Sequence, residues 1–326
     1  MRGILAERSP DSAKYPENKS GDNVAVRVGV IGVGYLGKHH ARIFSGLEDV
    51  ELVGVADINE TAASGIAQTY NCRAFSDYAE MIGLCDAVSI VTPTTTHHAV
   101  AMDCISAGKD LLIEKPITAG IDEAREVVAA AERGKLILQV GHLERYNPGV
   151  IAAAGMITAP RFIESERLSP FMGRAGDVDV TLDLMIHDID IVLSLVDSRL
   201  SRMSAIGESV ITERIDVAKA WLEFENGCKA LITASRLSPE KVRTLRVFQR
   251  DAYISIDYQK QELRRFRRKG TEITSEVIQP ENREPLKEEL QDFIGCVRYR
   301  RKPAVSGTEA MNALDVALKI TDMLKD

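Results

Sequence analysis

The chain has 326 residues, 45% hydrophobic and 27% charged, a composition that builds soluble domains and is long enough for two separate cores. A net charge of -7 argues against nucleic acid held by general basicity, and no run approaches the roughly eighteen apolar residues of a membrane span, so neither partner is expected. The five cysteines, Cys72, Cys85, Cys104, Cys228 and Cys296, have no CxxC or His-rich spacing, which leaves them as reduced, packed thiols of a cytoplasmic protein with no metal expected.

Residues Met1 to Asn23 mix Pro, Ser, Lys, Glu and Asp without apolar periodicity and without the apolar core of a secretory signal, so they read as a disordered extension. From Val26 to Ile31 the residues are nearly all small or β-branched, the pattern of a strand buried on both faces. Gly32, Gly34 and Gly37 follow at the spacing of a dinucleotide-binding turn: the first for the tight turn, the second for close approach of backbone to a pyrophosphate, the third for packing of the next helix. That helix opens near Tyr35 and Leu36 and points its free N–H groups at the phosphates. A second strand, Val50 to Ala56, ends in Asp57, whose carboxylate suits two ribose hydroxyls and repels a 2′-phosphate, which favours NAD over NADP.

Alternation continues with a helix from Glu60 to Tyr70, a short strand at Cys72 to Phe75, a helix after Ser76, a strand from Ala87 to Val91 and a helix from Thr96 to Ala107. A strand at Asp110 to Ile113, a helix from Asp122 to Arg133 and a strand from Leu136 to Val140 complete it. This predicts a doubly wound parallel sheet over residues 24–143. Thr92-Pro93-Thr94 and Glu114-Lys115-Pro116 stand at carboxyl ends of strands, where such sheets bind ligands.

The remainder reads as an α+β domain, residues 144–303. It has a strand from Arg161 to Arg167, a polar loop to Asp179 and a helix from Thr181 to Leu195. Seven strands follow, near Met203 to Gly207, Val217 to Phe224, Lys229 to Ser235, Arg243 to Phe248, Ala252 to Asp257, Glu262 to Phe266 and Ile273 to Ile278. Asn226-Gly227 suggests a two-residue hairpin. A large, mainly antiparallel open sheet results, and covering its bare face predicts a homodimer or homotetramer. Arg264, Arg265, Arg267, Arg268 and Lys269 read as a solvated edge with Lys269-Gly270 as its turn, the alternative being contact with a substrate phosphate. Residues 304–326 form a last helix with Ser306 and Glu309 as a capping box and Met311, Leu314, Ala317, Leu318 and Thr321 facing one of the cores.

Three groups of residues carry chemistry. Lys115 sits one residue past a strand on the rim where a nicotinamide would lie. Asp183 and His187, four apart on a helix, share a face, and a carboxylate beside an imidazole orients a general base. Arg145, Tyr146 and Asn147, before Pro148, mark the domain junction, where clefts form.

Together, Gly32, Gly34 and Gly37, Thr92-Pro93 with His97, Glu114-Lys115-Pro116 and Asp183-x-x-x-His187 resemble the Gfo/Idh/MocA family of oxidoreductases from Val26 onward. The resemblance implies NAD across Gly32, Gly34, Tyr35, Leu36, Asp57, Thr92, Pro93, Thr94, His97, Glu114 and Lys115. It also implies a sugar held by Lys115, Arg145, Tyr146, Asn147, Arg167, Asp183 and His187. Lys115 would hydrogen-bond the reacting hydroxyl, His187 would exchange its proton, and Asp183 would orient His187 or the sugar. The runs His142-x-Glu144-Arg145-Tyr146-Asn147-Pro148, Leu168 to Phe171 and Asp183 to Asp190 resemble a branch that oxidises UDP-N-acetylglucosamine at its 3-hydroxyl for a downstream aminotransferase, which makes the 3-amino sugar of lipid A or surface glycans. An inositol or aldose dehydrogenase, an NAD-dependent glycosidase and a non-catalytic dinucleotide sensor are the alternatives; the last has no use for a proton-transfer pair.

Overall fold

The computed structural model describes residues 25–171, 173 and 178–325; the expected extension Met1 to Asn23 and part of the polar loop before Asp179 lie outside them. The chain divides into two compact units. One takes residues up to Leu143 together with Glu284–Met311, and the other takes Glu144–Arg283 together with the chain from Asn312.

In the first unit the apolar runs become parallel strands β1 (Val26–Ile31), β2 (Val50–Ala56), β3 (Arg73–Phe75), β4 (Ala87–Ile90), β5 (Asp110–Glu114) and β6 (Leu138–Gly141). They are ordered β3-β2-β1-β4-β5-β6, the doubly wound order in which the chain reverses beside β1. Helices α1 (Gly37–Ser45), α2 (Glu60–Tyr70), α3 (Tyr78–Ile82), α4 (Thr94–Ser106) and α5 (Ile121–Gly134) connect them. Val28, Val30, Val55, Ala87 and Leu112 are sealed in one core, as strands covered on both faces require.

Residues 284–311, which the sequence reading divided between the second domain (to 303) and the C-terminal helix (from 304), belong to this unit. Helix α8 (Pro285–Tyr299) presents Leu290, Phe293, Ile294 and Val297 to the core of β1 and α1. Arg298 bonds Asp49 at 2.5 Å, and Arg300 bonds Asp110 at 2.5 Å. The three-residue rows of its apolar face explain the docking.

The second unit holds α6 (Pro148–Ala154), β7 (Pro160–Leu168), α7 (Ile186–Leu195), β8 (Leu200–Glu208), β9 (Val217–Phe224), β10 (Lys229–Ser235), β11 (Val242–Gln249), β12 (Ala252–Asp257), β13 (Glu262–Lys269) and β14 (Glu272–Ile278). The eight strands run β14-β13-β12-β11-β7-β10-β9-β8, all antiparallel except the pair β7 and β10. Ile163, Ala230, Ile232, Leu245 and Val247 are fully buried. Alternating with them, Trp221, Phe162, Phe248, Tyr253 and Phe266 form a row of ring contacts with centroids 4.8 to 5.7 Å apart.

Two turns differ from expectation. Phe224 pairs with Cys228 and Gly227 stands at φ +82°, so Glu225, Asn226 and Gly227 make a three-residue hairpin loop whose glycine takes the left-handed position. Lys269 pairs with Glu272, which moves the last turn to Gly270 and Thr271, with Gly270 at φ +64°. Strand β14 is exposed along most of its length, and Arg264 and Arg265 are tied to Glu262 and Glu276, each at 2.5 Å, as a solvated edge requires.

Helix α9 (Gly307–Met323) is capped by Glu309, which accepts from the Ser306 N–H at 2.7 Å and hydroxyl at 2.6 Å. Within the second unit its later turns bring the Thr321 hydroxyl to that of Thr181, both buried.

Candidate active site

The glycine turn has the geometry its three roles demand. Gly32 sits at φ +88°, and a Cβ there would lie 2.6 Å from the Val91 carbonyl oxygen. A Cβ on Gly37 would fall 1.9 Å from the Gly32 oxygen, because α1 packs directly on the turn. Gly34 meets nothing within 4 Å, so the backbone there faces open space of the kind a pyrophosphate takes. Tyr35 and Leu36, at the start of α1, are exposed. Asp57 closes β2 beside the turn and accepts from Val33 N at 2.7 Å and Asn59 N at 2.9 Å, which fixes its carboxylate where a ribose hydroxyl would meet it.

Beyond β4, Thr92 and Thr94 are partly buried and Pro93 is exposed. His97 is buried, and both its ring nitrogens face backbone carbonyls, Nδ1 to Pro116 and Nε2 to Thr92, each at 2.9 Å. It braces the loop after β4 against the loop after β5. Glu114 also turns inward. Its Oε1 lies 3.2 Å from His40 Nε2, its Oε2 accepts from Lys115 N at 3.2 Å, and His40 Nδ1 is 2.8 Å from the Ser89 hydroxyl. Burial pushes this carboxyl up, and His40 and Lys115 more than reverse it, so Glu114 stays ionised below the ordinary glutamate range. His97 and Glu114, which the resemblance implies as cofactor residues, thus bond the backbone of Thr92, Pro116 and Lys115. His40, which the sequence reading passed over, is their hidden partner; the one sequence signal for it is a histidine three residues inside the glycine-turn helix.

In the second unit Thr181–Met185 is a π-helical turn, closed by Ile186 N on the Thr181 oxygen, and α7 continues from it. Asp183 lies in the π turn and His187 in the first turn of α7. The wider i→i+5 winding still leaves residues four apart near one face, and both side chains are partly exposed. π turns often occur at functional sites.

Arg145, Tyr146, Asn147 and Arg167, which the resemblance implies as sugar contacts, are all buried in the second unit. Arg167 is 2% exposed, forked onto Asp188 at 2.6 and 3.3 Å and bonded to Glu144 at 2.8 Å, with the Tyr258 ring 5.6 Å away. Arg145, 6% exposed, bonds Asp190 at 2.9 Å. Asn147 is buried and caps α6 through Gly149 N at 3.0 Å, and Tyr146 is buried. The reason is physical: a guanidinium this deep requires its own acid, and α7 supplies Asp188 and Asp190. Among the described residues no group of His, Cys, Asp and Glu is arranged for a metal, and no helix is long and apolar enough to cross a membrane.

A three-glycine turn, an acid at the end of β2 and a lysine past β5 define an NAD-binding dehydrogenase domain. The comparisons agree. Residues 26–142 match the model described as "Oxidoreductase family, NAD-binding Rossmann fold", and residues 121–255 match the "GFO/IDH/MocA C-terminal domain". The chain belongs to the Gfo/Idh/MocA oxidoreductase family. It is 37% identical over 305 residues to UDP-N-acetylglucosamine 3-dehydrogenase of Acidithiobacillus ferrooxidans, covering 91% of this chain and 96% of that protein. A solved structure of the dehydrogenase of that name from the same organism superposes with TM-score 0.88 over 93% of this chain and 98% of that one, at 36% identity. A scyllo-inositol 2-dehydrogenase (NAD(+)) of Bacillus subtilis is 27% identical, covering 92% of this chain and 94% of that protein.

Proposed function

We propose that this enzyme uses NAD to oxidise the 3-hydroxyl of UDP-N-acetylglucosamine to the 3-keto sugar, in the cytoplasm, for a downstream aminotransferase that makes a 3-amino sugar for lipid A or surface glycans. The observation that carries this reading is near-full-length similarity to UDP-N-acetylglucosamine 3-dehydrogenase at 37% identity, against 27% for the inositol enzyme.

Gly32, Gly34 and Asp57 would hold NAD, with Tyr35, Leu36, Thr92, Pro93 and Thr94 around it; NAD supplies the hydride acceptor. Lys115 donates a hydrogen bond to the reacting hydroxyl and stabilises the alkoxide as it forms. His187 removes the hydroxyl proton, and Asp183, four residues before it, orients the imidazole. The aromatic row from Trp221 to Phe266 is the surface on which a second copy would stack to make a dimer or tetramer.

The test is a substrate screen on purified protein with NAD, using UDP-N-acetylglucosamine, UDP-glucose, free N-acetylglucosamine, glucose and myo-inositol, with a glutamate-dependent sugar aminotransferase added to draw off ketone. NADH formed only with UDP-N-acetylglucosamine supports the reading. A response to free polyols alone overturns it, and release of free sugar without net NADH points to a glycosidase.

A further inference from the structure

Most buried arginines of the second unit have an acid or carbonyl of their own. Arg167 has Asp188 and Glu144, Arg145 has Asp190, and Arg236 donates to the Val178 oxygen at 2.5 Å. Arg243 departs from this. It stands directly opposite Arg167 where β11 pairs with β7, so two guanidinium groups are cross-strand neighbours, an arrangement that costs energy unless an anion answers it. The nearest carboxylate oxygen to Arg243 is Glu144 Oε1 at 3.7 Å, outside hydrogen-bonding distance, and that same oxygen already accepts from Arg167 at 2.8 Å.

Lys241 stands one residue before β11 and two before Arg243. Among the described residues its ammonium has no ion pair, and neither it nor the Arg243 guanidinium makes a hydrogen bond. Arg243 and Arg167 both act on Lys241: its ammonium is held below the ordinary lysine range first by the charge of Arg243, then by burial and by Arg167. Burial and the repulsion of Arg167 lower Arg243 in turn, while Glu144, Asp188 and Asp183 work the other way. Arg167, the cross-strand neighbour of Arg243, bonds Asp188 at 2.6 Å, the residue after His187, which ties this corner to the helix that carries the proposed base. Arg243 remains one-third exposed, 33%, so an incoming ligand can reach it.

A forked guanidinium and a point ammonium, backed by a third cation and short of acid, match a ligand with two negative charges and several non-bridging phosphate oxygens. A neutral polyol leaves their repulsion unrelieved. We infer that Arg243 and Lys241 bind the diphosphate of the nucleotide-sugar substrate, Arg243 through a forked contact and Lys241 as the second positive charge. This rests on the nucleotide-sugar reading above and gives it a residue-level basis in Lys241, just before β11, and Arg243, in its second position.

The test uses the full-length enzyme and the variants Arg243→Gln, Lys241→Gln, the double variant and Arg243→Lys. Uridine diphosphate is the binding probe in calorimetry, and UDP-N-acetylglucosamine and NAD are the substrates. Loss of a charge-assisted contact predicts a rise of about 10-fold or more in KM for the nucleotide sugar in Arg243→Gln, larger in the double variant. The rise exceeds any fall in kcat, KM for NAD holds, and uridine diphosphate affinity falls in parallel with a flatter salt dependence. Arg243→Lys, which keeps the charge without the fork, falls between; it also carries the test if the glutamine variant fails to fold. Wild-type KM and wild-type uridine diphosphate affinity in folded variants overturn this inference while leaving the nucleotide-sugar reading intact. A wild-type enzyme that ignores uridine diphosphate and oxidises free polyols overturns both.

Discussion

His40 Nε2 stands 3.2 Å from Glu114 Oε1, and the other oxygen of that carboxylate holds the backbone N–H of Lys115 at 3.2 Å. A buried imidazole thus sets the position of the residue proposed to meet the substrate. Glu114→Ala strands His40 and frees the Lys115 peptide. We expect a loss of about 1–3 kcal/mol in urea denaturation, with kcat falling by about tenfold or more. Ser89→Ala removes one neutral partner and leaves the His40–Glu114 contact, so it costs about 1 kcal/mol and little activity.

Gly34 and Gly37 separate cofactor binding from folding. Gly34→Ala places its methyl in open space, so the melting temperature holds while KM for NAD rises. Gly37→Ala drives a methyl to within 1.9 Å of the Gly32 oxygen unless backbone moves, so the melting temperature itself drops. Parallel thermal melts and NAD titrations of the two variants check this; equal loss of stability in both would refute it.

Arg167→Met leaves Asp188 and Glu144 in the interior without their cation. The expected cost is about 3–5 kcal/mol of unfolding free energy. A substrate-contacting arginine would give the reverse pattern, a raised KM with unchanged stability, and steady-state kinetics beside denaturant unfolding tells the two apart.

Burial pushes the Asp216 carboxyl up, but the N–H groups of Ile211, Thr212 and Val210 and the Thr212 hydroxyl outweigh it and hold the group at about 2. A carboxyl depressed by folding adds stability that is present above its unfolded value, near 4, and lost as pH falls through about 2. Asp216→Asn is therefore expected to lose about 2 kcal/mol near neutral pH. The gap from wild type closes in acid, as measured by denaturation at a series of pH values.

His187→Ala removes the proposed base and leaves the glycine turn untouched. Turnover is expected to fall by about 100-fold or more while NAD binding, followed by calorimetry, is unchanged. Wild-type turnover would take His187 out of the chemistry.

The sequence by itself determined the strands and the turn around which the first unit is wound. Val26–Ile31, Val50–Ala56 and the helix Glu60–Tyr70 follow from short-range patterns, and Gly32, Gly34 and Gly37 from steric need that any reader of the chain can apply. Helix α8 was not read from the sequence, although Leu286, Leu290, Phe293, Ile294 and Val297 recur at helical spacing, and its place in the first unit could not be read at all, because periodicity says which face is apolar and not which core receives it. The tertiary structure alone decided the fate of charge. The resemblance implies Arg145 and Arg167 as sugar contacts, and only the structure shows each buried against an acid, while Arg243, read as part of an ordinary strand, has no carboxylate within hydrogen-bonding distance. His40 meets Glu114 across 74 positions of chain. Electrostatic pairing depends on distance in space and on burial, which pattern along a chain does not encode.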